Sequence, residues 1–316
     1  MSLKKTFHPI LLIVHVAILI WSITSYAQSL ERFEYSEVHM GTLFRIVLYA
    51  KSENLANAAS HKAYLRIEEL NHIFSDYLQS SELSQISKYA HHHAVKVSDD
   101  MWTLLKLSDD LNAQSDGAFN IATGPLTKLW RRAIRRQEIP DNKKIKDALV
   151  NSDWNDVQLD ELNHTIKFNR KGMRLDMGGV AKGYTVDQAY LILLGEGLAM
   201  SLVDGGGDIF AGDAPPDTKG WSIKIESNAS QRSEDIILKN EALASSGSTF
   251  KFVEFEGRQY SHIVSPISGY GISDPITINV KAENCTVADA LATTFCIQSN
   301  RQIVKRIAKY FKAMLL

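Results

Sequence analysis

The chain of 316 residues is 45% hydrophobic and 22% charged, a composition that suits a folded globular protein and argues against disorder. Its 35 basic and 36 acidic residues leave a formal net charge of −1, so composition supports no global field that would recruit nucleic acid or an anionic membrane. The first 27 residues stand apart. Lys4 and Lys5 precede an apolar run from Ile10 to Ile23, and Ser25-Tyr26-Ala27 offers small residues for cleavage before Gln28. These are the three regions of a secretory signal, and the run is shorter than the ~20 residues of a spanning helix. The expectation is a signal peptide over 1–27, a single domain over 28–316 and export to the periplasm or the outer face of the inner membrane. No cysteine lies near the cut to carry a lipid.

Beyond the signal, Leu43 to Ala50 reads as a strand and Leu55 to Ile73 as a helix with its apolar residues on one face. The serine-rich stretch Ser75 to Ser87 reads as loop. Helices follow over Asp99 to Gln114 and Pro125 to Arg136, the latter with proline in its first turn. Asn151 to Gly172 reads as short strands. Arg174 to Ala189 (RLDMGGVAKGYTVDQA) reads as a strand ending at Met177, a Gly178-Gly179 turn and a helix from about Val180. Strands predominate from Met200 to Val280, and two helices close the chain. Without strict strand–helix alternation the class expected is α+β, with mixed sheets and packed helices. His91-His92-His93 reads as surface loop, because adjacent residues do not point at one centre. Cys285 and Cys296, spaced about 15 Å apart along a helix, are expected as two free, buried thiols.

Three stretches carry candidate chemistry. Gly178 and Gly179 precede a helix start whose N–H groups could receive a phosphate, although G-G-x-x-x-G matches neither the dinucleotide nor the P-loop pattern. Leu202 to Asp213 (LVDGGGDIFAGD) places three glycines after a strand, with Asp208 following. In VADALATT, Val287 to Thr294, a helix would put Asp289 and Thr293 on one face, where one ion could meet both. A capping box is the alternative, since Thr286 stands three residues before Asp289.

Eight segments appear in one order: Met40-Gly41-Thr42, SSELSQIS from Ser80, GAFNIATGPLTKLW from Gly117, LDMGGVAKGY from Leu175, GGDI from Gly206, SSG from Ser245, HIVSPISG from His262 and VADALATT from Val287. In these the chain resembles the ApbE family, the FAD:protein FMN transferases. The resemblance implies an ApbE-like fold and a magnesium-dependent transfer of FMN from FAD, the substrate, to a threonine hydroxyl of a membrane-associated redox protein, with release of AMP. It implies Asp289, Thr293 and the backbone oxygen of Ala181 as magnesium ligands, and His262 as the base. Met40, Tyr77, Asn120 and Lys182 are implied as flavin-binding positions. The alternatives are a non-catalytic FAD-binding protein and a magnesium-dependent FAD pyrophosphatase, and for His262 alone a structural hydrogen bond in a strand. Two residues depart from the family pattern. Asn120 stands where aspartate is usual, and Ser265 replaces an aspartate three residues from His262, so the imidazole is expected to be less perturbed here.

Overall fold

A computed structural model describes residues 29–226, 233–247, 252–273 and 276–316. The expected signal segment lies outside the described residues. The first strands, β1 (Glu31–His39) and β2 (Thr42–Ala50), form a hairpin whose two turn residues, Met40 and Gly41, both have positive φ, 50° and 75°. That is the turn sense which matches the twist of a two-residue hairpin. Helices α1 (Glu53–Phe74) and α2 (Glu82–Tyr89) follow, then β3 (Val95–Lys96), α3 (Asp99–Gln114), α4 (Gly124–Arg136), α5 (Asn142–Val150), β4 (Val157–Asp160) and β5 (Thr165–Phe168). After α6 (Ala181–Gly195) come β6 (Ser201–Gly205), β7 (Ile209–Ala211), β8 (Trp221–Glu226), β9 (Ser233–Leu238), β10 (Glu241–Gly247), β11 (Phe252–Phe255), β12 (Arg258–Ser261) and β13 (Thr277–Ala282). Helices α7 (Cys285–Ile297) and α8 (Arg301–Tyr310) and strand β14 (Met314–Leu315) end the chain.

The class is α+β, as expected. Seven strands form one sheet in the order β1-β2-β6-β7-β10-β13-β14, each pair antiparallel. Alternation along β2 explains its two faces: Phe44, Ile46, Leu48 and Ala50 are fully buried against the helices, while Val47 joins Leu202, Trp221 and Leu238 in a second core beneath the β8–β9 hairpin. A sheet covered on both faces is a rigid floor. On the helical side α1 packs on α6, and α6 packs on α7. Gly183 permits that last contact, because a Cβ there would lie 2.3 Å from the Cys285 carbonyl oxygen and 2.7 Å from Asp289 Cβ.

The structure corrects several expectations. Ser75 to Ser87 is not all loop: the Ser81 hydroxyl accepts the Ser84 N–H and starts α2, whose Leu83 and Ile86 are buried. No regular strand ends at Met177. Arg174 instead makes one isolated bridge to Thr123, and α6 begins at Ala181. Strand β12 stops at Ser261, so His262 lies in the bend beyond it. Cys285 and Cys296 are both free, but only Cys285 is fully buried, because α7 turns Cys296 toward the Ser246 carbonyl at its half-exposed edge.

Candidate functional site

A cavity of about 1060 Å³ opens where the β1–β2 turn, the start of α6, the end of β10 and the inner face of α7 meet. Met40, Tyr77, Ala181, Lys182, His262, Asp289 and Thr293 all line it. Tertiary structure thus gathers seven of the eight expected residues from five separate segments. Asn120 is the exception. Its amide nitrogen donates to Ser152 O at 2.8 Å and its Oδ1 accepts the Ala122 N–H at 2.7 Å, which holds the turn that brings Thr123 to the cavity wall. An asparagine spent on two backbone groups serves the loop and does not line the cavity.

The capping-box alternative fails on geometry. Asn284 is the N-cap of α7, with its Oδ1 accepting Val287 N–H at 2.8 Å. Thr286 instead donates its hydroxyl and N–H to Asp187 of α6, which also accepts the Cys285 N–H. Asp289 lies one turn deeper and is 2% exposed. One of its oxygens accepts the Gly183 N–H at 3.0 Å, and the other has no hydrogen-bond partner among the described residues. Thr293, a turn further on, meets the Ser246 hydroxyl at 3.2 Å, and a Cβ on Gly179 would sit 3.1 Å from its Oγ1. A carboxylate with an open oxygen and a hydroxyl, both hard oxygen donors lining one cavity, suit magnesium. Ala181 is in place, but its carbonyl oxygen accepts the Thr185 hydroxyl at 2.8 Å.

The start of α6 has a particular hydrogen-bond account. Gly178 N–H goes to Asp176, Val180 and Ala181 N–H go to Met177 O, and Gly183 N–H goes to Asp289. The N–H groups of Gly179 and Lys182 have no partner among the described residues, although both residues line the cavity. Unsatisfied donors at a helix N-terminus suit an anion, and the missing Cβ of Gly179 lets the Thr293 side chain stand beside them. The Lys182 ammonium adds charge. Burial works against that charge, but the Asp208 carboxylate it contacts and the nearby Asp289 hold the lysine above its ordinary value. Asp208 itself is 1% exposed, and burial and Asp289 push it upward against the pull of Lys182.

A second network, unread from sequence, frames the mouth. Arg131 of α4 pairs with Asp76 and with Asp176, the latter at 2.5 Å, and lies over the Tyr77 ring at 5.0 Å from its centroid. Asp176 also accepts the Thr127 hydroxyl at 2.6 Å. One guanidinium thus joins helix α4, the Tyr77 loop and the glycine turn. No local signal predicts it, since Asp76, Arg131 and Asp176 are about 50 residues apart in sequence. Tyr77 is 77% exposed, as a ring waiting to stack on a ligand would be, and Met40 faces it from the hairpin turn across the same cavity.

The departure at Ser265 has a structural explanation. Its hydroxyl accepts the N–H groups of Ile267 and Ser268, both at 3.3 Å, and closes the turn before Gly269. Aspartate has the acceptor oxygens for the same turn bonds, so serine keeps the turn and differs from it in charge.

An antiparallel sheet under paired helices carries a cavity in which two unsatisfied N–H groups at a helix start stand beside a carboxylate and a hydroxyl, groups suited to a phosphorylated ligand. The chain belongs to the ApbE family, whose model matches residues 40–315. It is 30% identical to the FAD:protein FMN transferase of Treponema pallidum (strain Nichols) over 280 residues, 82% of this chain and 77% of that one. Against the FAD:protein FMN transferase of Chlamydia muridarum the identity is 27%, covering 94% and 93%. The ApbE protein of Thermotoga maritima superposes with a TM-score of 0.81 at 26% identity, covering 90% of this chain and 94% of that one. The flavin transferase ApbE of Vibrio cholerae has the same fold, with a TM-score of 0.80 at 24% identity over 91% and 93%.

Proposed function

We propose that the protein transfers FMN from FAD to a hydroxyl of an acceptor protein and releases AMP. The observation that carries this reading is the pair of unsatisfied N–H groups on Gly179 and Lys182, in one cavity with Asp289 and Thr293. The N–H groups provide for a diphosphate, and the two oxygen donors for a cation beside it. Asp289 and Thr293 would hold magnesium, which when bound neutralises charge on the diphosphate and on the departing AMP. Lys182 and the two N–H groups bind and orient the phosphates. Met40 and Tyr77 pack on the isoalloxazine, and Arg131 fixes the Tyr77 ring from behind.

His262 stands on the cavity wall, where an acceptor threonine approaches the FMN phosphorus. Its imidazole takes the hydroxyl proton as the new phosphoester bond forms, and the bond from that phosphorus to the bridging oxygen breaks, so AMP leaves with the oxygen. Positioning and charge neutralisation carry most of such a phosphoryl transfer. Export through residues 1–27 places the reaction outside the cytoplasm, on an acceptor redox protein associated with the membrane.

The test is incubation of the mature chain with FAD, magnesium and a threonine-bearing acceptor, followed by mass measurement of the acceptor. Covalent FMN on the threonine, lost when magnesium is chelated, supports the reading. Free FMN and AMP with an unmodified acceptor would make the protein a pyrophosphatase, and bound but intact FAD would make it a flavin carrier.

A further inference from the structure

Next to the flavin cavity runs a second cleft of about 980 Å³, which shares Asp76, Tyr77, Arg131 and His262 with it. Its walls are basic. Lys128, Arg131 and Arg135 come from one stripe of α4, at the three- and four-residue spacings that share a helix face, while Leu126, Trp130 and Ala133 bury the opposite face. Lys88 from α2 and Arg174 from the segment before the glycine turn complete the set. Among the described residues the only carboxylate lining the cleft is Asp76, and Arg131 occupies it. Lys88, Lys128, Arg135 and Arg174 make no ion pair among the described residues; Lys88 only overlies the Tyr89 ring. On a chain whose net charge is −1, four unpaired cations around one cleft are a local concentration that the whole-molecule balance conceals.

We infer that this cleft receives the acceptor protein, and that the acceptor carries a run of aspartate or glutamate beside its modified residue. The inference rests on the proposed transfer, whose acceptor must reach His262 from outside the flavin cavity. The shared His262 and Tyr77 make the cleft a route to that point. A concave cleft accommodates an extended polypeptide, whereas a flat membrane surface would touch only its rim. Unpaired Lys and Arg side chains attract carboxylates at range and discriminate against basic or neutral segments, which sets specificity and encounter rate. Charge neutralisation here leaves the metal and diphosphate contacts unchanged.

Three fluorescein-labelled threonine peptides test this by anisotropy, on the full mature chain loaded with FAD and magnesium: one flanked by four acidic residues, one by their amides and one by lysines. The acidic peptide is expected to bind at least tenfold more tightly than the amide peptide, with the advantage shrinking as salt rises from about 50 to 500 mM. The double variant Lys128→Glu/Arg135→Glu should remove that advantage while its FAD affinity and thermal midpoint stay at wild-type values. Equal binding of acidic and amide peptides, an acidic preference that survives the double variant, or full displacement of the acidic peptide by AMP would overturn the assignment. Because binding is read without turnover, an acidic peptide that binds but is never flavinylated indicts the proposed transfer and leaves the cleft assignment standing.

Discussion

Asp289 shows how one side chain serves two ends: it satisfies the Gly183 N–H with one oxygen and presents the other to the cavity. Asp289→Ala should therefore abolish FMN transfer while costing only about 0.5–2 kcal/mol of stability, the usual cost of a lost helix-start acceptor. Transfer assays across a magnesium titration, beside urea unfolding, separate the two effects; a variant that unfolds before it loses activity would make the residue structural. At His262, replacement by alanine should slow transfer by about 10²–10⁴-fold if the imidazole takes the proton. Ser265→Asp should keep the Ile267 and Ser268 turn bonds and move the pH profile upward, because an ionised carboxylate three residues from His262 stabilises the protonated imidazole. An unchanged profile would show that the carboxylate does not reach the imidazole. Met40 belongs to the same scale. A non-glycine residue at φ 50° costs about 1–2 kcal/mol, and here the strained position holds its side chain at the flavin cavity.

Helices α6 and α7 cross so closely that one glycine decides their spacing. Gly183→Ala would press a methyl group into the Cys285 carbonyl and Asp289 Cβ, so the helices must part. A loss of about 1–3 kcal/mol is expected, with a fall in FAD affinity, since Asp289 moves away from the α6 start. Calorimetric unfolding and flavin titration measure the two, and undiminished stability would show that the crossing can relax.

The same pair of helices is joined one turn further along α6 by Asp187, which accepts two N–H groups and a hydroxyl from the first turn of α7. Burial pushes its carboxyl up to about 6 in spite of those bonds, from an ordinary value of 3.8. A carboxyl raised on folding binds its proton more tightly in the folded chain. Its contribution to stability is thus complete below about pH 4 and lost as pH rises through about 6, by about 1–3 kcal/mol. Asp187→Asn cannot titrate, so the difference in unfolding free energy between wild type and variant should change across pH 4–6 and stay level above it. A difference independent of pH would mean that the three hydrogen bonds keep the carboxylate ionised.

At the scale of the whole molecule, the cavity exists only because the hairpin turn and the α6–α7 pair stand on one sheet while α4, packed on α5 and β11, brings Thr127 and Arg131 to it. A ligand that bridges them stabilises the assembled fold alone. FAD with magnesium at about 100 times its dissociation constant should add about 2.7 kcal/mol, which for a chain of this size raises the melting temperature by about 4–5 °C. Differential scanning with and without FAD is the measurement; no shift at micromolar FAD would count against a flavin site.

Much of this architecture was legible in the linear chain, for identifiable reasons. Helix α1 and strand β2 follow from the periodicity of their apolar residues, and the spacing of Asp289 and Thr293 requires only the helix in which they lie. The eight motif segments, in their order, carry the family and most of the cavity lining. What the sequence could not determine depends on atoms from distant segments. Whether Asp289 caps its own helix or its neighbour was settled by the approach of Gly183, and the fate of Asn120 by Ser152, which took its amide into the loop. The Arg131 network and the basic cleft have no local pattern, since electrostatic partners need proximity in space and leave no period in the chain. Composition even obscured the cleft: a net charge near zero records how many charges there are, and only the fold decides which of them stand together.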